Sequence, residues 1–132
     1  MTMPAGKYYI GDLCYVMTDD EWKEFCEITI QGHRCIDGEF ALPDGRRFAT
    51  YGTAYGDGEY YDQYGHTYSV DAGLIGCIRA EDIRANKYDN LLDLGAFQEF
   101  AEPFDTDKQG GQLQFGHVII ETDASDWHED EL

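Results

Sequence analysis

The stretch Phe48–Ile78, FATYGTAYGDGEYYDQYGHTYSVDAGLIGCI, decides the fold. It carries six of the chain's ten tyrosines and six of its fifteen glycines, and it contains neither Lys nor Arg. Chain reversals are expected at Gly56-Asp57-Gly58, at Asp62-Gln-Tyr-Gly65 and at Asp71-Ala-Gly73, because Gly and Asp supply turn conformations that other residues resist. Short strands then fall at Glu59–Tyr61 and Thr67–Val70. Leu74–Ile78 is apolar on both faces, which predicts a central strand.

Outward from this block, towards the N-terminus, Gly6–Gly11 predicts a first strand, and Cys14-Tyr15-Val16 continues it extended. Thr18 and Glu21 have capping-box spacing, in which each side chain satisfies an otherwise orphan backbone N–H. Met17 and Trp22 are placed to form a hydrophobic staple, and Asp19 and Asp20 sit where the helix dipole favours negative charge. Trp22, Phe25 and Cys26 mark the buried stripe of a helix that fades before Gly32. From Arg34 the period changes to two. Hairpin turns are expected at Asp37-Gly38 and at Asp44-Gly45, with Arg46–Tyr51 as the return strand.

On the C-terminal side, Ala80–Ala85 predicts one helical turn with Ile83 inward, and Asn86–Gly95 a connection. Ala96–Phe104 is extended, ended by Pro103 and the acidic run Asp105–Asp107. Gly110-Gly111 turns the chain into Gln112–Thr122, the longest strand, with a bulge or bend near Gly116 where the alternation changes face. These elements predict a mainly β chain with a minor α+β character: an antiparallel β-sandwich or partly open barrel with one N-terminal capped helix. The domain is expected to span 1–122, followed by an acidic flexible tail over 123–132 that holds five acidic residues in ten.

A chain of 132 residues can bury roughly two-thirds of its unfolded surface, so neither disulfides nor a metal are required for stability. Nine basic against 27 acidic residues give a net charge of −18, while a hydrophobic content of 42% excludes wholesale disorder. Such a body repels nucleic acid and anionic membranes and attracts basic protein surfaces. No apolar run approaches the roughly 20 residues needed to cross a bilayer. Without a signal-like N-terminus, Cys14, Cys26, Cys35 and Cys77 are expected to be reduced thiols in a host-cell cytoplasm.

Four segments resemble small uncharacterised proteins of phages and bacterial mobile elements. They are Gly6-Lys-Tyr-Tyr-Ile-Gly-Asp-x-Cys-Tyr15, Thr53-Ala-Tyr-Gly-Asp-Gly58, Val70-Asp-Ala-Gly-Leu-Ile-Gly76 and the late Phe115-Gly-x-x-x-Ile120. The resemblance covers most of the domain. This chain has Leu13 where such proteins often carry Pro. The resemblance implies a phage or mobile-element origin and no particular chemistry.

Candidate chemistry is sparse. Asp57, Glu59 and Asp62 are close enough in sequence to offer oxygens to a hard cation, but their spacing departs from a calcium loop, which favours solvated turn carboxylates. Cys26, His33 and Cys35 lack zinc-site spacing. Cys14 would need His66 or His117 beside it, and the negative field raises its thiol pKa. Gly56-x-Gly58 and Gly73-x-x-Gly76 have no Lys or Arg for a phosphate. No cofactor, metal ligand or catalytic residue is assigned.

The remaining feature is the acidic, aromatic surface. Asp57, Glu59, Tyr60, Tyr61, Asp62 and Tyr64 are the expected partner-binding residues, since rigid amphipathic rings supply contact area at low entropy cost. Carboxylates at alternate strand positions repeat every ~6.6 Å, a spacing of the order of that between phosphates, so a nucleic-acid mimic is one form the binding would take. The expected activity is therefore that of an accessory protein which docks on a basic host protein, such as a nucleic-acid or defence enzyme. The alternatives are a small Cys- or metal-dependent hydrolase and a divalent-metal-binding module.

Overall fold

The structure is a computed structural model that describes residues 2–32, 34–84 and 91–122. In chain order its elements are β1 (Thr2–Met3), β2 (Gly6–Gly11), a 3₁₀ turn (Leu13–Val16), α1 (Asp19–Thr29), β3 (Ile30–Gln31), β4 (Arg34–Cys35), β5 (Gly38–Ala41), β6 (Arg47–Gly52), β7 (Gly58–Asp62), β8 (Thr67–Val70), β9 (Leu74–Arg79), a second 3₁₀ turn (Ala80–Asp82), α2 (Leu91–Leu94), β10 (Ala96–Phe100), β11 (Phe104–Gln109), β12 (Gln112–Phe115) and β13 (Val118–Glu121). One sheet has six strands in the order β1-β11-β12-β13-β7-β8, and the other has five in the order β10-β2-β9-β6-β5. Every pairing is antiparallel, and neither sheet closes on itself. The fold is a β-sandwich with a helix added, as expected.

Two cores explain the layering. Between the sheets lie Tyr8, Ile10, Tyr51, Tyr68, Val70, Ile75 and Cys77 against Phe104, Leu113, Phe115, Val118 and Ile120. On the other face of the five-stranded sheet, Tyr9, Phe48 and Ile78 meet Leu13, Val16, Met17 and Phe25 beneath α1. Neighbours in sequence such as Tyr8 and Tyr9 therefore serve different cores, the direct result of the two-residue strand period. β9 is covered on both faces, which is why Leu74–Ile78 carries no polar alternation. Gly76 lets β9 approach β6 closely: a Cβ there would run into the Ala49 carbonyl oxygen.

α1 starts as its capping box dictates. The Thr18 hydroxyl accepts the Glu21 N–H at 3.0 Å, and the Glu21 carboxylate accepts the Thr18 N–H at 2.9 Å. The other Glu21 oxygen meets Arg46 at 2.5 Å, which fastens the helix start to the β5–β6 hairpin. Met17 is buried and Trp22 packs on the same core. The helix ends at Thr29, before Gly32.

Five expectations change. Leu13–Val16 is a 3₁₀ turn, not extended chain, because the Asp12 carboxylate accepts the Cys14 N–H and pulls the backbone round. Asp37-Gly38 is not a hairpin turn: β4 pairs back onto β3, and Gly38 simply opens β5. Asp37 instead accepts the Gly52 N–H and pairs with Lys108 at 3.2 Å, linking the sheets at one edge. The acidic run Asp105–Asp107 lies inside β11 rather than after a strand. Gly116 marks a complete reversal, since Phe115 pairs with Val118 across a two-residue loop. Leu91–Leu94 forms a helical turn within what was expected to be plain connection. The last residue of the expected 80–85 turn, the first part of that connection (86–90) and the acidic tail (123–132) lie outside the described residues.

Asp12 also gives two of the quoted segments a shared structural purpose. It is fully buried, and its second oxygen accepts the N–H groups of Asp71 (2.8 Å) and Ala72 (2.6 Å). Gly-Asp-x-Cys-Tyr and Val-Asp-Ala-Gly are thereby two halves of one buried joint.

Candidate functional site

β7 divides the expected partner-binding set. Side chains alternate across a strand, so Glu59 and Tyr61 face outward while Tyr60 and Asp62 face the core. Tyr60 is 5% exposed and Asp62 7%, against 54% for Tyr61 and 57% for Tyr64. Asp57 is exposed in the loop before the strand. Tyr60 and Asp62 are thus corrected from surface residues to structural ones. The Tyr60 hydroxyl donates to the Gly56 carbonyl at 2.9 Å, and Thr53 Oγ1 donates to the same oxygen at 2.6 Å, which closes the Thr53–Gly58 loop.

Asp62 organises the β7–β8 turn. Its Oδ1 accepts the N–H groups of Tyr64 (2.8 Å) and His66 (3.0 Å). Its Oδ2 takes the Tyr68 hydroxyl at 2.6 Å and faces His66 Nδ1 at 2.9 Å. Burial pushes this carboxyl up, but the hydrogen bonds from Tyr68, His66 and the two backbone groups outweigh it and hold it below the ordinary carboxylate value. With both oxygens engaged, Asp62 does not join Asp57 and Glu59 as a cation ligand. Among the described residues no group of three His, Cys, Asp or Glu side chains converges as a metal site would. The side chains of His33 and Cys35 lie outside the described residues.

The cysteine chemistry finds a different setting from a catalytic one. Cys14 packs on the core beneath α1, with Leu13 and Val16 as chain neighbours. His66 is engaged by Asp62, and His117 lies against Tyr64 and Phe100. Cys77 is fully buried between the sheets, and burial pushes its thiol far up.

The outer face of the six-stranded sheet is where the exposed members of the set belong. Strand register lines up Gln109, Gln112, Glu121, Tyr61 and Thr67 in one row across β11, β12, β13, β7 and β8. Asp107, Gln114 and Ile119 form the next row. Asp105 and Glu59 add two further outward carboxylates. The six strands contain one basic residue, Lys108, and it leans to the inner side to meet Asp37. Asp105 accepts from Thr2, Asp107 from Gln109 and Glu121 from Gln112, all neutral donors. Among the described residues the face is hence acidic, with no basic side chain on its outer side, and the Tyr61 ring stands on β7 beside the β8 edge.

At one end of this sheet three turns meet. The Gln63 side chain donates to the His117 carbonyl at 2.6 Å and accepts the Ile119 N–H at 2.9 Å, so the β7–β8 turn is stitched to β13. Tyr64 then lies 6.3 Å from the His117 ring, which is 5.1 Å from Phe100 of β10. Asp105, Asp107, Glu121 and this end cluster were not singled out from the sequence. Alternation along β11 is the available signal, and the Asp residues, which strands disfavour, mask it.

No helix among the described residues is long and apolar enough to cross a membrane. Comparison with protein-family models, with curated proteins and with solved structures gives no match.

Proposed function

We propose that this chain acts by binding, and that the outer face of its six-stranded sheet docks on a basic protein surface. The observation that carries the reading is that Glu59, Asp105, Asp107 and Glu121 share one face and that none of them makes an ion pair with a Lys or Arg among the described residues. Uncompensated carboxylates on an ordered sheet attract a cationic partner over the Debye length and fix its register. Tyr61, exposed on β7, supplies aromatic contact area at low entropy cost.

In the setting that the resemblance implies, the partner is a host nucleic-acid or defence enzyme. The acidic rows then occupy the channel meant for nucleic acid, in the host cytoplasm. Asp105 and Asp107 fit such mimicry, because alternate residues on one strand are about 6.8 Å apart.

The test is affinity purification from host lysate with the wild-type chain and with a Glu59→Lys/Glu121→Lys variant. A partner retained at low salt should be lost by about 0.5 M salt, where the Debye length falls below ~5 Å. The variant should bind it several-fold more weakly while keeping the wild-type unfolding midpoint. A partner held equally well by both proteins at high salt would rule the reading out.

A further inference from the structure

A cleft of about 400 Å³ opens where β10 turns into β11, lined by Glu99, Phe100, Ala101, Glu102, Phe104 and His117 among others. Its volume lies within the ~300–1,000 Å³ typical of ligand sites. The floor is apolar and rigid. Phe100 and Phe104 stack with centroids 3.8 Å apart, and Tyr8 braces both edge-on at 5.8 and 5.0 Å. Gly116 closes the floor from below. Its φ is +60°, and a Cβ there would come within 2.7 Å of the Phe100 ring. One wall is the His117 ring.

The rim is acidic. Glu99 and Glu102 are both exposed, and neither makes a hydrogen bond or ion pair among the described residues. Lys7 stands opposite Glu99 in the β2–β10 register, yet its Nζ lies over the Phe97 ring, 5.3 Å from the centroid. An apolar floor at which Phe100 and Phe104 show only their edges, 5% and 7% exposed, under two carboxylates without an ion pair among the described residues suits an elongated group with an apolar stem and a cationic head.

We propose that this cleft receives an arginine side chain of the basic partner, an inference that rests on the acidic-face docking described above. Its methylene stem lies on Phe100 and Phe104. Its guanidinium reaches Glu99 and Glu102 and stacks beside His117. Arginine fits better than lysine because its head is planar, weakly hydrated and forked to match a carboxylate in two hydrogen bonds. The cleft adjoins the acidic face directly, since the Gly116 N–H donates to the Asp105 carbonyl at 2.9 Å. It would therefore anchor the same partner at the end of the sheet.

The experiment is an amide-resolved NMR titration of the full chain with N-acetyl-arginine amide. The lysine analogue and the neutral citrulline analogue serve as controls. Saturable shifts at Ala101, Gly116 and His117 are expected with arginine, weaker ones with lysine and none with citrulline. Glu99→Gln/Glu102→Gln should weaken the titration by roughly tenfold. Ala101→Trp, which fills the cleft from an exposed position and keeps both charges, should abolish it in a protein whose spectrum stays dispersed. Equal response to citrulline, or no selectivity over lysine, overturns the proposal. Arginine shifts confined to Glu59, Tyr61 and Glu121 overturn it as well, while leaving the face docking intact. The Glu59→Lys/Glu121→Lys protein should keep the cleft titration, so loss of its partner with a normal titration separates the two ideas.

Discussion

The carboxylate of Asp12 accepts the backbone N–H of Ala72 at 2.6 Å, across sixty positions of chain. The same side chain holds Asp71 and Cys14, so one buried residue sets the 3₁₀ turn after β2 and the entry to β9. Asp12→Ala removes three acceptor contacts at once and should cost about 2–4 kcal/mol, with Asp12→Asn costing less because one oxygen remains. The shift in urea midpoint at unchanged slope measures it. A loss below about 0.5 kcal/mol for the alanine variant would mean that the joint is dispensable.

The alternation of β7 predicts opposite outcomes for adjacent tyrosines. Tyr60→Phe deletes the hydrogen bond to Gly56 and should lower stability by about 1 kcal/mol without touching partner affinity. Tyr61→Ala should leave the unfolding midpoint within about 0.5 kcal/mol and weaken partner binding. Thermal unfolding alongside a binding titration separates the pair; a swap of the two effects would contradict the strand's facing.

Acid should act partly through Asp62. Its folded-state carboxyl lies below the ordinary value, so its contribution is complete above the unfolded pKa and is lost as pH falls through the folded one. The window therefore opens near pH 4, the usual Asp value, and extends below it. Tyr68→Phe removes the 2.6 Å donor, which should raise the Asp62 carboxyl and narrow that window from below. It should also cost about 2 kcal/mol at neutral pH. Side-chain carboxyl titration by NMR reads the first effect, and an unmoved Asp62 resonance would refute it.

Alkali should act through the buried phenols. Burial pushes Tyr8 up to about 12 and raises Tyr9, Tyr15, Tyr51 and Tyr68 as well. A raised folded pKa means stability that is complete below the unfolded value near 10 and falls away as pH climbs towards the folded one. The absorbance of these phenolates should appear only together with loss of the far-UV β signal. Their ionisation in a protein that keeps its β spectrum would contradict the burial.

Local signals were legible in the sequence and pairings were not. The Thr18–Glu21 box specifies a helix start by contacts three residues apart, and α1 begins where it says. Leu74–Ile78 declares burial on both faces by composition alone. By contrast, Asp37-Gly38 shows only that the chain can bend there. Which strand accepts β4 depends on β3, and Asp37 is drawn away by Gly52 and Lys108. At Gly116 a change of face fits a bulge or a reversal equally, and only the closeness of Phe100 and Phe104 shows why the loop is so tight. The expected binding set divides for the same reason. Tyr60 and Tyr61 are alike as residues, and only β7's phase against the core tells them apart.

The strand order has a consequence for how the chain is made. β1 must wait for β11, with Thr2 opposite Asp105, and β2 gains its outer neighbour only from Ala96–Phe100. Synthesis deals strands to the two sheets by turns, so the five-stranded sheet is finished only with Phe100 and the six-stranded sheet only with Glu121. Non-local pairing of this kind places folding in the slow range of small domains, ~milliseconds to seconds. It also leaves β2 with an open hydrogen-bonding edge in every nascent chain that stops short of β10, and that edge is a point at which such chains would pair with one another.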